Sequence, residues 1–351
     1  MSKRVKKIVC FGGGTGVSVV LSGLKKSPLD LTAIVTMFDS GGSSGKLKKE
    51  LGILPLGDVR QCLVALSNEK NLAPLFRYRF EKGGLKGHNF GNLLIAAEIG
   101  ATGNLNRAIE KIAKILDIKG KVVPVALEQA DIVAILKNNK KIREEEKIIN
   151  CPDVSKIGIK KLFLEPKIKA NPKATSAIKN ANLIIIAPGK FYTTILPIFL
   201  VKGIPEAVRK SRAKKVFVCN LMTQVGNTDG FSVKDFLTIL EKYLGKNVID
   251  YPSKAKGEDE SKALIDYVIF NTGKLSTKQV KEVRRVFPKA DFVKYDKSLS
   301  KRENFIGADV IDRQIQKLNP ADTLVKGANK RTMILHDSNK LAKILLKLCR
   351  R

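Results

Sequence analysis

Leu31-Thr32-Ala33-Ile34-Val35-Thr36-Met37-Phe38 runs directly into Asp39-Ser40-Gly41-Gly42-Ser43-Ser44-Gly45. The first eight residues read as a buried strand, because a near-continuous apolar run is what a strand covered on both faces requires. The glycines, serines and single carboxylate that follow then gather at the strand's C-terminal end, where open α/β sheets bind ligands. Upstream, a second apolar run over residues 5–11 ends in Phe11-Gly12-Gly13-Gly14-Thr15-Gly16. Downstream, Leu54-Pro55-Leu56-Gly57-Asp58-Val59-Arg60 opens onto a helical pattern. Three such loops on one sheet edge predict a nucleotide or sugar-phosphate pocket.

Residues 5–11 and 31–38 read as parallel strands joined by a helix over 16–25, since period-3.6 apolar spacing there replaces the continuous runs. Residues 58–66 and 92–97 start further helices, with Asp58 placed to cap the first. Residues 121–125, 132–136, 140–142 and 165–168 are short and polar-bounded, which predicts a small antiparallel β insert over 119–170. The α/β pattern returns in strands over 182–187, 215–220 and 267–270, each ending in small or amide residues. An amphipathic helix is expected over 233–243, a charged surface loop over 253–261, and a closing helix with a basic end over 339–351. The expected fold is α/β: a Rossmann-like, mostly parallel sheet flanked by helices, built from residues 1–118 and 171–351, with the β-rich insert between.

A chain of 351 residues with 44% hydrophobic content can bury a sizeable core. Its apolar runs fall short of the roughly 20 residues that span a bilayer. The charged start, Met1-Ser2-Lys3-Arg4, lacks the apolar region of a secretory signal. A soluble cytoplasmic protein without a membrane span is therefore expected. The cysteines Cys10, Cys62, Cys151, Cys219 and Cys349 are odd in number and widely spaced, as buried thiols rather than disulfides or a metal knuckle would be. His88 and His336 are too few and too far apart to suggest a metal site by spacing. The formal charge of +32 invites a nucleic-acid reading. It is spread along the chain and dominated by lysine, however, and only 6% of residues are aromatic, which leaves few stacking platforms. Sequence-specific nucleic-acid binding is not expected; a lysine-biased solvated surface, or attraction of anionic metabolites, RNA or membrane surfaces, accounts for the excess.

The loops carry the chemistry. Gly12, Gly13, Gly14, Thr15 and Gly16, between a strand and a helix, can bring main-chain N–H groups to a phosphate, or can make a plain tight turn. The dinucleotide fingerprint is not met, since Val17 occupies its third glycine position, and Leu47 replaces the Ser/Thr of a P-loop after Gly45-Lys46. Asp39 stands where such folds place a ribose-binding acid; it could equally hold a metal, bind a substrate hydroxyl or form a turn. Asp58 and Arg60 read either as helix cap and surface ion pair or as carboxylate and anion clamp. Gly87-His88-Asn89-Phe90-Gly91-Asn92 brings a histidine and two amides into another helix-opening turn, suited to a base or sugar, or to capping alone.

Together these stretches resemble the gluconeogenesis-factor family (YvcK-like, UDP-N-acetylglucosamine-binding), within the superfamily of 2-phospho-L-lactate transferase (CofD-like). The matching segments are Phe11 to Gly16, Ala33 to Gly45, Leu54 to Arg60, Gly87 to Leu93, Ala187-Pro188-Gly189-Lys190-Phe191-Tyr192-Thr193-Thr194, and Asn220 to Gln224 with Thr228-Asp229-Gly230. The resemblance implies a homodimer and a nucleotide-diphosphate ligand. It places Gly12 to Gly16 and Gly41, Gly42, Ser43, Ser44 and Gly45 at phosphates, and adds Arg60, His88, Asn89, Asn92, Gly189, Tyr192, Thr193, Asn220, Thr223 and Gln224 to the nucleotide site. In the transferase branch, Asp39 and Asp58 would be catalytic, Asp39 would bind Mg²⁺, and a phospho-acyl group would move with release of a nucleoside monophosphate. The binding role requires no cofactor. Three positions depart from the common pattern: Ser40 replaces the second of two paired acids, Lys190 stands where Ser or Asp is more frequent, and Leu335 where an Arg is common. The missing second acid favours a regulatory factor that links carbon metabolism to cell-wall synthesis and cell shape.

Overall fold

The computed structural model describes residues 5–245, 263–289, 291–316, 324 and 334–350. The charged loop expected over 253–261 lies outside them. Among the described residues ten strands occur: β1 (Lys6–Gly12), β2 (Leu29–Val35), β3 (Lys121–Pro124), β4 (Asp131–Leu136), β5 (Lys141–Arg143), β6 (Ile159–Glu165), β7 (Leu183–Ile186), β8 (Lys214–Val218), β9 (Tyr267–Asn271) and β10 (Phe305–Ala308). Seven form one sheet in the order β10-β9-β8-β7-β1-β2-β3, with every neighbouring pair parallel. Its central strands are buried along nearly their whole length, as the apolar runs require when helices cover both faces.

The helices of the first half are α1 (Gly14–Leu24), α2 (Gly42–Leu51), α3 (Gly57–Leu66), α4 (Leu72–Arg77), α5 (Phe90–Thr102), α6 (Leu105–Ile115), α7 (Glu145–Ile149) and α8 (Asp153–Ile157). The second half adds α9 (Pro172–Lys179), α10 (Leu196–Ile198), α11 (Ile204–Lys210), α12 (Val233–Leu244), α13 (Thr277–Val286) and α14 (Ser338–Arg350). The amphipathic spacing works as read: α6, for example, buries Ala108, Ile109 and Ile112 and exposes its charged residues. Among the described residues, no helix is long and apolar enough to cross a membrane.

Two expectations are corrected. Residues 121–125, assigned to the insert, supply β3, which pairs in parallel with β2 at the edge of the main sheet. A short edge strand carries the same sparse pattern as an insert strand, so the pairing decides. The antiparallel sheet is real but smaller, in the order β5-β4-β6, and its last strand is Ile159–Glu165 rather than 165–168. Second, Asp58 does not cap α3. Leu56 is the capping residue, and Asp58 lies inside the first turn.

The strand order fixes where a ligand can sit. From β1 the chain moves to β2 and β3 on one side, and later to β7, β8, β9 and β10 on the other. Connections leaving β1 and β7 therefore diverge onto opposite faces and open a crevice at their C-terminal ends.

Candidate functional site

A cavity of about 340 Å³ opens at that crevice, within the range of small-molecule sites. Its floor is Gly13, Gly14, Thr15 and Gly16 after β1, Asp39, Gly41 and Gly42 after β2, and Gly189, Lys190 and Thr194 after β7. Asn220, Leu221, Met222, Thr223, Gln224 and Val225 continue the wall after β8. The first turns of α1, α2 and α3 all reach it. Gly13 and Gly41 are the capping residues of α1 and α2, and neither helix start has a side-chain cap. Open N–H groups and the positive ends of the helix dipoles thus point into one space, the arrangement that binds phosphate.

Close packing explains part of the glycine pattern. A Cβ on Gly16 would lie 1.8 Å from the Pro188 carbonyl oxygen, and one on Gly45 would lie 2.0 Å from the Ser40 carbonyl oxygen. Gly16 thus lets α1 approach the loop after β7, while Gly45 lets α2 fold back on its own entry. Asn220 locks the neighbouring loops: it accepts from Gly189 N–H at 3.2 Å and donates to the Gly189 carbonyl at 2.8 Å.

Four charged side chains, Asp39, Asp58, Glu145 and Lys190, meet at one end. Glu145 comes from α7, in the segment between β5 and β6, and is only 2% exposed. Its Oε1 accepts from Lys190 Nζ at 2.8 Å, and its Oε2 accepts from both the amide and the hydroxyl of Ser40 at 3.3 Å. The Ser40 hydroxyl also accepts from Glu146 N–H at 3.0 Å. Burial, then the Glu145 carboxylate, push Asp39 up to about 8, against the pull of Lys190. Burial pulls Lys190 down, but Glu145 and Asp39 outweigh it and hold the ammonium above the ordinary lysine range. Asp39 therefore keeps its proton to higher pH than an ordinary carboxyl, while Lys190 is a fixed cation.

The opposite end is apolar. Leu221, Met222, Val225, Val283, Phe287, Ile334 and Leu335 line it, together with Thr223, Gln224 and His336. The His336 ring is buried, which pulls its pKa down to about 4. Its Nε2 lies 3.1 Å from the Cys219 carbonyl oxygen, so the neutral ring donates there.

Not every sequence-predicted residue reaches the cavity. Arg60, Ser43, Ser44, His88, Asn89 and Asn92 form a buried network behind the α2 start. Arg60 Nε donates to Asn92 Oδ1 at 2.9 Å, and Asn92 Nδ2 donates to the hydroxyls of Ser43 and Ser44 at 3.3 and 3.4 Å. Asn89 caps α5, its side chain accepting from Asn92 N–H. His88 Nδ1 lies 3.4 Å from the Ser43 hydroxyl, and burial and then Lys46 hold its pKa below the usual value. Gly12 closes β1. Tyr192 and Thr193 point into the core of a π-helical turn, Phe191–Ile195. These residues shape the loops from behind.

The sequence reading missed Glu145, Gln61, Thr36 and Thr194 as cavity residues. Glu145 sits in the run Arg143-Glu144-Glu145-Glu146, which looks like a solvated surface stretch. Gln61 lies one turn into α3 and accepts from the Thr15 hydroxyl at 3.0 Å. Its position after Asp58 was the only available signal.

Residues 8–315 match the family model described as 2-phospho-L-lactate transferase CofD, and the chain belongs to that family. Within it, the similarity runs to proteins named gluconeogenesis factor. The putative gluconeogenesis factor of Thermotoga maritima is 39% identical over 348 residues, covering 98% of this chain and 99% of that protein. The gluconeogenesis factor of Halalkalibacterium halodurans is 46% identical over 250 residues, covering 70% and 76%. A crystal structure of a UPF0052-family protein from Bacillus halodurans superposes with a TM-score of 0.82 at 35% identity, covering 98% of this chain and all of that one (100%). The expected family and fold class are both present.

Proposed function

We propose that this chain is a regulatory factor of the gluconeogenesis-factor type that binds a nucleotide sugar, with UDP-N-acetylglucosamine as the ligand implied by the resemblance, and links carbon metabolism to cell-wall synthesis and cell shape. One observation carries the binding reading: glycine-opened helix starts converge on a cavity with an apolar far wall. A diphosphate suits the helix starts, and a planar base suits the wall. The proposal includes a homodimer and a cytoplasmic location. Isothermal titration with UDP-N-acetylglucosamine is expected to show saturable heat that weakens when Asp39 or the Gly12 to Gly16 loop is altered. Heat indistinguishable from buffer rejects the reading, and light scattering tests the dimer.

A second reading, phospho-acyl transfer, is favoured by Asp39 and Asp58 standing together at the glycine loops. Their carboxylates fit Mg²⁺, which is commonly held by one or two carboxylates and substrate phosphates. Bound there, the ion would neutralise phosphate charge. An acceptor hydroxyl would give up its proton to solvent and attack the β-phosphorus, and the bond from that phosphorus to the bridging oxygen would break, releasing a nucleoside monophosphate. The loop N–H groups would steady the negative charge on the phosphate oxygens. Incubation with a deazaflavin acceptor, lactyl-diphospho-guanosine and Mg²⁺ tests this reading by GMP release. No release above a control without protein rejects it.

A further inference from the structure

The glycine turn after β1 is braced by a side chain from another element. α3 packs along α1, and Gln61, one turn into α3, lies against the α1 start. The Ser18 hydroxyl, further along α1, reaches the Gln61 carbonyl oxygen at 3.1 Å, and the Thr15 hydroxyl donates to Gln61 Oε1 at 3.0 Å. Backbone and side chain of Gln61 are therefore both pinned to α1.

With Oε1 taken by Thr15, the amide nitrogen is the end left over. Nε2 has no hydrogen-bond partner among the described residues, and Gln61 is half-buried and lines the cavity. Its place is made by Gly14, the first residue of α1. A Cβ there would lie 2.6 Å from Nε2 and 2.7 Å from Cδ of Gln61. Gly14 has no left-handed φ that would call for glycine, so the space that Gln61 fills explains the missing side chain.

Gly14, Thr15 and Gly16 supply the first N–H groups of α1, which no side chain caps. Gln61 Nε2 adds a side-chain donor to that set, held in place before a ligand arrives. On the β2 side, Thr36 N–H donates to the Gly12 carbonyl at 3.0 Å, so this residue flanks the same turn. Thr36 is 3% exposed and lines the cavity, and its Oγ1 finds no hydrogen-bond partner among the described residues. A buried hydroxyl left unpaired is costly unless a ligand completes it. What the turn lacks is an acceptor, and an anionic acceptor makes the stronger hydrogen bonds.

We propose that Gln61 contacts the diphosphate: its Nε2 donates to a phosphate oxygen of the ligand seated on the α1 start, and Thr15 sets the amide in that orientation. This contact rests on the nucleotide-sugar reading above.

Calorimetric titration of the full chain with UDP-N-acetylglucosamine tests it. Gln61→Glu keeps the shape and the acceptor for Thr15 but replaces the donor with a carboxylate oxygen. At pH 8 it is expected to weaken binding about tenfold or more relative to the parent. At pH 5 that deficit shrinks, because a neighbouring phosphate raises the carboxyl above its usual value of about 4.3, and the protonated form donates again. Gln61→Met, of similar length and without a donor, loses affinity several-fold at both pH values. Circular dichroism confirms that each variant folds. If the parent does not bind, the nucleotide-sugar reading falls together with this contact. If the parent binds and either folded variant binds within about twofold of it at pH 8, the contact is overturned while that reading stands. A Gln61→Glu deficit equal at pH 5 and pH 8 also overturns it, since mere distortion of the turn carries no such pH dependence.

Discussion

Lys190 Nζ and Glu145 Oε1 lie 2.8 Å apart, joining the loop after β7 to the first turn of α7 across 45 positions of sequence. The pair closes one wall of the cavity and ties the segment that carries the antiparallel sheet to the main one.

Removing the ammonium leaves a buried carboxylate with only its Ser40 bonds. Lys190→Met is expected to destabilise the chain by about 2 kcal/mol more than it does in a Glu145→Gln background, a coupling typical of contacting charged groups. Urea unfolding of the four members of the cycle measures it; additive effects would show that the pair contributes nothing.

Asp39 gives the chain a pH dependence of definite sign. Its value rises from 3.8 to about 8 on folding, so the folded state holds the proton more tightly than the unfolded one. This contribution to stability therefore falls as pH rises from about 4 to about 8. Asp39→Asn removes it. The melting temperature of the variant, relative to the parent, is expected to be higher at pH 9 than at pH 5; a constant difference would contradict the raised value.

Gly16 is fixed by packing before any ligand enters. Alanine there gains about 1 kcal/mol of helix propensity. Its Cβ meets a backbone carbonyl at 1.8 Å, however, and overpacking costs about 1–3 kcal/mol or more. A net loss of about 2 kcal/mol is expected in Gly16→Ala, read from the urea midpoint. Unchanged stability would mean that the α1 start can shift away from Pro188.

The Asn92 network predicts a stability effect rather than a direct ligand effect. Asn92→Ala removes an acceptor for Arg60 and a donor to Ser43 and Ser44, all buried. A loss of about 2 kcal/mol or more is expected. Ligand affinity measured well below the melting temperature should change far less than in a Gly13 or Asp39 variant. The reverse pattern would place Asn92 in the site itself.

The site was half legible in the sequence. Gly13 to Gly16, Asp39, Gly41, Gly42, Gly189, Asn220, Thr223 and Gln224 line the cavity as read, because each follows an apolar strand and the end of a parallel strand is a defined place. Ser43, Ser44, Arg60, His88, Asn89 and Asn92 sit in equally polar, glycine-flanked turns, yet they face inward. Local sequence does not distinguish a turn that presents its side chains to a cavity from one that satisfies them behind it.

The alternation of apolar runs and periodic helices determined the parallel sheet and the places where its loops end, because burial on both faces leaves a pattern that each segment carries alone. Tertiary structure alone decided that residues 121–124 join that sheet, that an acid run between β5 and β6 sends Glu145 to Lys190, and that the buried Thr36 hydroxyl finds no partner among the described residues. Those outcomes depend on which distant segments meet, and charge, pairing and hydrogen bonding between them have no local signature.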